Sequence, residues 1–198
     1  MKTRLYLLPL LTVAFSACTS FDAASLARKA AAGDTAACYE YGHRLLTGRH
    51  VKQDRKQAII WLQKAADKGN IRAAAALGAC YAHGLGTNPN IHKARYWYAK
   101  AADAGHAHAE FALGTHYLRK TPVDYTKAVT YIRYAAMHGS PDAAFLMAIC
   151  FIEGYGVRPN PRLALGWLAN AAERGHKTAK AIISDLRKLA EAEKNKKK

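Results

Sequence analysis

The 198-residue sequence lacks the short motifs that mark common catalytic centres, and it is poor in acidic residues. No Ser-x-x-Lys, Gly-x-Ser-x-Gly or His-Glu-x-x-His pattern occurs, which excludes the hydrolase classes that these motifs define. Only 14 residues are Asp or Glu, against 30 Lys and Arg, so the net charge at pH 7 is +16. This imbalance favours anionic partners such as phospholipid head groups, lipopolysaccharide or acidic proteins.

Long hydrophobic runs are also missing. The apolar run from Leu5 to Phe15 is too short to span a bilayer. It follows the positive residues Lys2 and Arg4 and precedes small residues, which is typical of a secretory signal peptide. We therefore expect residues 1–17 to be removed and the rest of the chain to leave the cytoplasm, which argues against a nucleic-acid partner.

The end of this segment resembles a bacterial lipoprotein signal, in which a cysteine after small residues becomes diacylated. Ser16, Ala17 and Cys18 match that pattern, whereas Phe15 stands where an aliphatic residue is usual. The alternative is an ordinary secretory signal followed by a coincidental cysteine. The resemblance predicts lipidation of Cys18.

A lipid at Cys18 would tie the chain to a membrane through a short tether, residues 18–21. The residue after the cysteine is Thr19 rather than aspartate, which resembles sorting to the outer membrane. The expected location is thus the bacterial cell envelope, at the periplasmic face of the outer membrane.

Three further cysteines, Cys38, Cys80 and Cys150, leave an odd number once Cys18 is set aside. An exported protein usually pairs its cysteines. The odd number therefore predicts buried thiols that pack as small apolar groups rather than disulfides.

A repeat of about 36 residues organises the rest of the chain. Marker glycines recur at intervals of 36, 36, 34 and 36 residues, namely Gly33, Gly69, Gly105, Gly139 and Gly175. A large aromatic residue stands eight places before the last four of them, namely Trp61, Trp97, Tyr131 and Trp167. Nine places after the first four stands a residue with little or no side chain, namely Gly42, Gly78, Gly114 and Ala148.

Each repeat is predicted to form two helices, A and B. The residue after the marker glycine is expected to cap helix A, namely Asp34, Asn70, Ser140 and, as a poor cap, His106. Helix A is expected to end at a glycine, namely Gly48, Gly84 or Gly154. Helix B is expected to be capped by Asp54, Asn90, Asp124 or Asn160. A short amphipathic pair cannot bury its own apolar face, so the repeats must stack.

The pattern W-x-x-x-A-A-x-x-G followed by A-x-x-x-L-G-x-x-Y-x-x-G-x-G resembles the Sel1-like repeat, a relative of the tetratricopeptide repeat. The resemblance implies an all-α fold, an α-α superhelix built as a right-handed solenoid of helix-turn-helix repeats over residues 22–187. Its repeats would lie at about 34–69, 70–105, 106–139 and 140–175, with a half repeat at each end. A basic tail, 188–198, would follow.

The resemblance also implies a concave groove lined by helix A, in which a protein or peptide would bind. The positions expected to face it are Tyr39, His43, Arg72, Ala75, Ala79, His83, His108, Phe111, Thr115, Arg119, Phe145 and Ile149. Apolar, aromatic and small residues dominate this set, whereas an idle solvent-facing surface should be polar. The alternative is that neighbouring helices bury these positions against one another. We expect a scaffold or adaptor, not an enzyme.

A second candidate surface, the basic edge, lies at the A–B turns and the starts of helix B. Its residues are Lys52, Arg55, Lys56, Lys93, Arg95, Arg158 and Arg162. Cations are unfavourable near helix N-termini, so helix electrostatics does not explain them. The alternative hypothesis is therefore a binder of anionic lipid or polymer, such as phospholipid, lipopolysaccharide or cell wall.

A metal site has little support. His106 and His108 stand two residues apart, and such residues on a helix point to different faces. Only Glu110 lies at a spacing that could add a ligand. The sequence predicts no metal and no cofactor.

Overall fold

The computed structural model describes residues 22–196, and in this part of the chain all regular secondary structure is helical. The predicted signal peptide, Cys18 and the tether lie outside the described residues. The first helix, α1, covers 22–31. The others are α2 (Thr35–Thr47), α3 (Arg55–Asp67), α4 (Ile71–His83), α5 (Ile91–Asp103), α6 (Ala107–Arg119), α7 (Tyr125–Met137), α8 (Pro141–Glu153), α9 (Pro161–Glu173) and α10 (Lys177–Lys196). The all-α class is confirmed.

Helix A of the four repeats corresponds to α2, α4, α6 and α8, and its caps follow the prediction. Asp34, Asn70 and Ser140 each accept a hydrogen bond from a backbone N–H three residues later, at 2.7 to 3.2 Å. His106 occupies the cap position of α6 without a side-chain cap bond. Because such a bond contributes about 0.5–2 kcal/mol, the N-terminus of α6 is less stable than the N-termini of α2, α4 and α8.

Helix B corresponds to α3, α5, α7 and α9, and each of these begins at a capping side chain. The four caps accept a backbone N–H at 3.0 Å, namely Asp54, Asn90, Asp124 and Asn160. Helices α2, α4 and α8 end at a glycine in the left-handed conformation. The third repeat differs, because α6 ends at Lys120 in extended conformation.

The chain forms two compact units, which divide between Trp97 and Tyr98. In the first unit α2 packs on α3, and α3 packs on α4. Its core contains Leu62 and Leu77, both without exposed surface. In the second unit the consecutive helices from α6 to α10 pack in the same way, and Leu113, Ile132 and Met147 are the largest fully buried side chains that the structure describes there.

The three cysteines of the described chain are free and buried, with 0 to 1% of Cys38, Cys80 and Cys150 exposed. This confirms the prediction of buried thiols. Burial raises the pKa of the Cys80 thiol to about 11, and it also raises the pKa of Cys150. Cys38 Sγ donates a hydrogen bond of 3.3 Å to the carbonyl oxygen of Ala30.

The last helix extends into the predicted tail. Helix α10 covers Lys177–Lys196, close to the helix from Thr178 to about Glu193 that the sequence predicts, and it includes most of the basic tail, 188–198. Ala, Leu, Glu and Lys, which dominate its last turns, are strong helix formers. Within residues 22–196, no helix is long and apolar enough to cross a membrane.

Candidate functional site

The predicted groove positions of the first unit lie on α2 and α4. Tyr39 and His43 are half-buried on α2, with ring centroids 5.9 Å apart. Arg72, exposed on α4, holds its guanidinium carbon 5.0 Å from the centroid of the Tyr39 ring. A cation over an aromatic ring at an exposed site contributes about 0.5–1 kcal/mol. The contact joins the A helices of consecutive repeats.

The predicted groove positions of α4 differ in how far they are exposed. Ala75 is 5% exposed and belongs to the core, whereas Ala79 is half-buried and His83 is exposed. The position of Ala75 in the repeat is that of Tyr39, whose ring reaches the surface. A methyl group at this position is too short to do so. Ala75 is therefore enclosed rather than part of the accessible surface of α4.

In the second unit the groove positions lie on α6 and α8. His108 and Arg119 are exposed, and the other four are half-buried, namely Phe111, Thr115, Phe145 and Ile149. Phe111 and Phe145 pack against the core of this unit. Phe145 also stacks on His176, the residue before α10, with ring centroids 4.3 Å apart. Helix A thus presents half-buried apolar side chains beside exposed basic ones.

The basic edge is solvent-exposed at all seven positions. In the part of the chain that the structure describes, none of its side chains forms an ion pair with an acid. Lys93 Nζ lies 5.3 Å from the centroid of the Tyr81 ring. These charges remain available to an anionic partner.

A cavity of about 740 Å³ adjoins this surface in the first unit, between α1, the A–B turn and α3. Its lining combines the apolar side chains of Leu45 and Trp61 with the cations Arg28 and Lys52. Tyr41, also part of the lining, meets the Trp61 ring edge-on at 5.6 Å. The lining also includes Asp54, the cap of α3, so the cavity has charges of both signs beside an apolar wall.

A polar cavity in the second unit was not anticipated from the sequence. The carboxylate of Glu110, on α6, lies 2.8 and 3.0 Å from Nδ1 of His138, which follows α7. Glu110 is 3% exposed, and among the described residues it is the one charged side chain in the core. A signal did exist, because other repeats have Cys38, Ala74 or Ala144 at this position. No group of three or more His, Cys, Asp or Glu among residues 22–196 could hold a metal ion.

A family model described as Sel1 repeat matches residues 35–70, 71–106, 107–140 and 141–176. Each segment begins one residue later than the repeat predicted from the glycine spacing. A comparison with curated proteins found no match.

Two solved structures share this fold and are 29% and 32% identical in sequence to this chain. A Sel1 repeat protein from Oxalobacter formigenes is 29% identical, with a TM-score of 0.72 over 78% of this chain and 64% of that chain. The antigen c5321, a protective antigen of uropathogenic Escherichia coli with an SLR fold, is 32% identical, with a TM-score of 0.75 over 79% of this chain and 34% of its own. This chain therefore spans less than two thirds of either relative.

Helicobacter pylori cysteine rich protein B shares the fold at 24% identity. The TM-score is 0.53, and the match covers 68% of this chain and 98% of that one. Together these matches confirm the predicted fold class, an α-α superhelix of helical repeats.

Proposed function

We propose that this chain, which belongs to the Sel1 repeat family, is a non-enzymatic scaffold that binds a protein or peptide through helix A of its repeats. Sel1 repeat proteins are generally protein-interaction scaffolds. The observation that carries the proposal is the mixed character of helix A in both units. Half-buried apolar side chains such as Phe111 and Phe145 stand beside exposed basic ones such as Arg119.

This arrangement defines the chemistry of the partner. Partly buried aromatic residues are common anchors in protein interfaces, because they bury much area for little loss of side-chain entropy. The exposed Arg72 and Arg119 would pair with acidic side chains of the partner at its edges. A partner segment with apolar residues and flanking acids is therefore favoured over a basic one.

Replacing Ala79 with tryptophan is expected to lower capture of the partner from cross-linked envelope extracts at least tenfold. The added ring would occupy the surface of α4 beside His83, one turn further along the helix, and since Ala79 is half-buried, part of the ring can remain in solvent. Quantitative mass spectrometry of the captured protein measures the effect, and circular dichroism checks the fold.

Ala24→Trp provides the matched control, because Ala24 is exposed on α1, outside the predicted groove. It should capture the partner as the wild type does. Wild-type capture by a folded Ala79→Trp variant would rule out binding at this surface of α4.

We further propose that the chain is anchored by a lipid on Cys18 at the periplasmic face of the outer membrane. The support is the match of Ser16, Ala17 and Cys18 to the lipoprotein pattern. Three extended residues after Cys18 reach about 10 Å, so the repeats would lie against the bilayer. In fractionated cells, the wild type should sediment with outer membranes and Cys18→Ser should not. Equal sedimentation of both would contradict the anchor.

A second candidate function is binding of anionic lipid or polymer through the basic edge. It is favoured by the seven exposed cations, which form no ion pair with an acid among residues 22–196, and by the adjoining cavity that Lys52 lines. A basic residue near an anionic membrane contributes about 1 kcal/mol. Arg55→Glu, Lys93→Glu and Arg162→Glu combined should then abolish sedimentation with phosphatidylglycerol vesicles and leave protein capture unchanged.

The control variant also replaces three cations with glutamate, but at positions near the ends of helix B, namely Lys64, Arg133 and Arg174. It should retain more vesicle binding than the edge variant. Equal sedimentation of the wild type with neutral phosphatidylcholine vesicles would exclude this second function.

A further inference from the structure

The cavity around Glu110 is separate from both surfaces discussed so far. It has a volume of about 590 Å³ and lies between the end of α5 and helices α6 and α7. Small-molecule sites typically measure about 300–1,000 Å³. None of the predicted groove or basic-edge residues lines it.

Three lining residues depart from the repeat pattern, and all three departures meet at this cavity. Glu110 stands where the other repeats have Cys38, Ala74 and Ala144. Tyr131 stands where they have Trp61, Trp97 and Trp167, and Tyr134 where they have Lys64, Lys100 and Asn170. The smaller ring of Tyr131 leaves space, the ring of Tyr134 adds an aromatic wall, and Glu110 adds a buried charge.

The lining of the cavity includes the buried carboxylate of Glu110. The side chain of Glu110 is 4% exposed, and its partner His138 carries a positive charge only when protonated. When the imidazole is neutral, it donates a hydrogen bond to the carboxylate without balancing its charge, and an unbalanced buried charge costs several kcal/mol. Asp103 adds a second carboxylate to the lining. A cation entering the cavity would therefore be stabilised.

The walls of the cavity are aromatic. Tyr117 and Tyr131 stack in parallel, with ring centroids 5.7 Å apart and an interplanar angle of 5°. Burial, Tyr117 and Asp103 raise the pKa of Tyr131, so its phenol stays protonated at neutral pH. Ring faces attract cations by about 0.5–2 kcal/mol.

A cation already lies against one of these rings. Lys127 Nζ is 5.6 Å from the centroid of the Tyr117 ring. The same ammonium pairs with the carboxylate of Asp124 at 3.5 Å, and its side chain is 61% exposed. Because this lysine is mostly in solvent, it can move aside for a ligand.

We propose that this cavity binds a small organic cation, an ammonium or guanidinium group held by the Glu110 carboxylate and the faces of the surrounding tyrosine rings. The group belongs to a free small molecule or to a lysine or arginine side chain presented by another molecule. Both sources offer the same chemistry to the cavity. The site is independent of the scaffold function proposed above.

Titration calorimetry on the full chain tests the proposal with choline and its neutral isostere, 3,3-dimethylbutan-1-ol. Choline is expected to bind at least tenfold more tightly than the alcohol, because only choline carries a charge. Guanidinium, N-acetyl-lysine methylamide and N-acetyl-arginine methylamide serve as further probes. Tighter binding of the capped amino acids than of choline and guanidinium assigns the site to side chains, and the reverse order assigns it to free cations.

Two variants and a control locate the binding. Glu110→Gln should weaken choline binding at least tenfold. Tyr131→Trp restores the residue of the other repeats and should abolish binding by filling the space, while the Glu110–His138 contact stays in place. Asp185→Asn removes one carboxylate from α10, outside the cavity, and should leave choline binding unchanged.

Three results would overturn the proposal. They are no binding of any cationic probe to the wild type, equal binding of choline and the alcohol, or unchanged choline binding in a folded Tyr131→Trp variant. The result for Tyr131→Trp tests the proposal even if the Glu110→Gln variant does not fold.

Discussion

Replacing Gly114 with alanine is expected to lower the free energy of unfolding by about 1–3 kcal/mol, the range typical of overpacked cores. Gly114 lies on α6 where this helix meets α7. A methyl group there would come within 2.6 Å of Cγ1 of Ile132 and 3.2 Å of the carbonyl oxygen of Ala128. Both neighbours are buried, and one is backbone, so neither can move aside without shifting a helix.

Gly166→Ala is the matched control, because Gly166 also lies within a helix of the second unit. A methyl group at this position has no other atom within 4 Å. Alanine should therefore raise the free energy of unfolding by about 0.5–1 kcal/mol, through its higher helix propensity. Urea denaturation followed by circular dichroism measures both variants. If both variants changed the free energy of unfolding in the same direction, this would contradict the close packing of α6 on α7.

The thiols of Cys38, Cys80 and Cys150 are expected to react with iodoacetamide at least a hundredfold more slowly in the folded protein than in urea. Each is at most 1% exposed, and the thiolate is the reactive form. Since burial raises the pKa of Cys80 to about 11, few thiolates form in the native state near neutral pH. Reaction then requires opening of the structure, which costs several kcal/mol. Peptide mapping by mass spectrometry reports each cysteine separately.

The same burial makes stability depend on pH. The pKa of Cys80 rises from its ordinary value of 9.0 to about 11 on folding, so the folded state holds this proton more tightly. The contribution of the Cys80 thiol to the free energy of unfolding is fully present below pH 9 and is lost as the pH rises toward 11. The full loss corresponds to about 2–3 kcal/mol.

Cys80→Ala is the variant that isolates this effect, because it removes the titrating thiol. The difference in unfolding free energy between the wild type and this variant should shrink between pH 8 and pH 10.5 by about 1–2 kcal/mol. Parallel pH profiles for the two proteins would show that Cys80 ionises as freely in the folded state as in the unfolded one.

The repeat structure could be predicted because its signals are local. The caps Asp34, Asn70 and Ser140 bond to a backbone N–H only three residues away, so the residue type at one position decides the bond. His106 was recognised as a poor cap for the same reason, and it makes no side-chain cap bond. The buried thiols could be predicted from the odd number of cysteines that remain once Cys18 is set aside.

The groove was harder to predict, because exposure depends on side-chain length as well as on helical position. Tyr39, Ala75 and Phe145 share one position in the repeat, and an average over repeats treats them alike. The two rings are half-buried and reach the surface, whereas the methyl group of Ala75 is enclosed. Their role in binding stays a prediction.

The sequence by itself determined the helices, their ends, the period of the repeat and the fold class, because capping and helical periodicity act over three or four residues. Only the tertiary structure decided which positions join into a cavity. Glu110, on α6, and His138, directly after α7, stand 28 residues apart, and their contact depends on how α6 packs against α7. The sequence shows that Glu110 departs from the repeat, but it does not show which residue Glu110 meets across the helix interface, so only the packed structure reveals the pair.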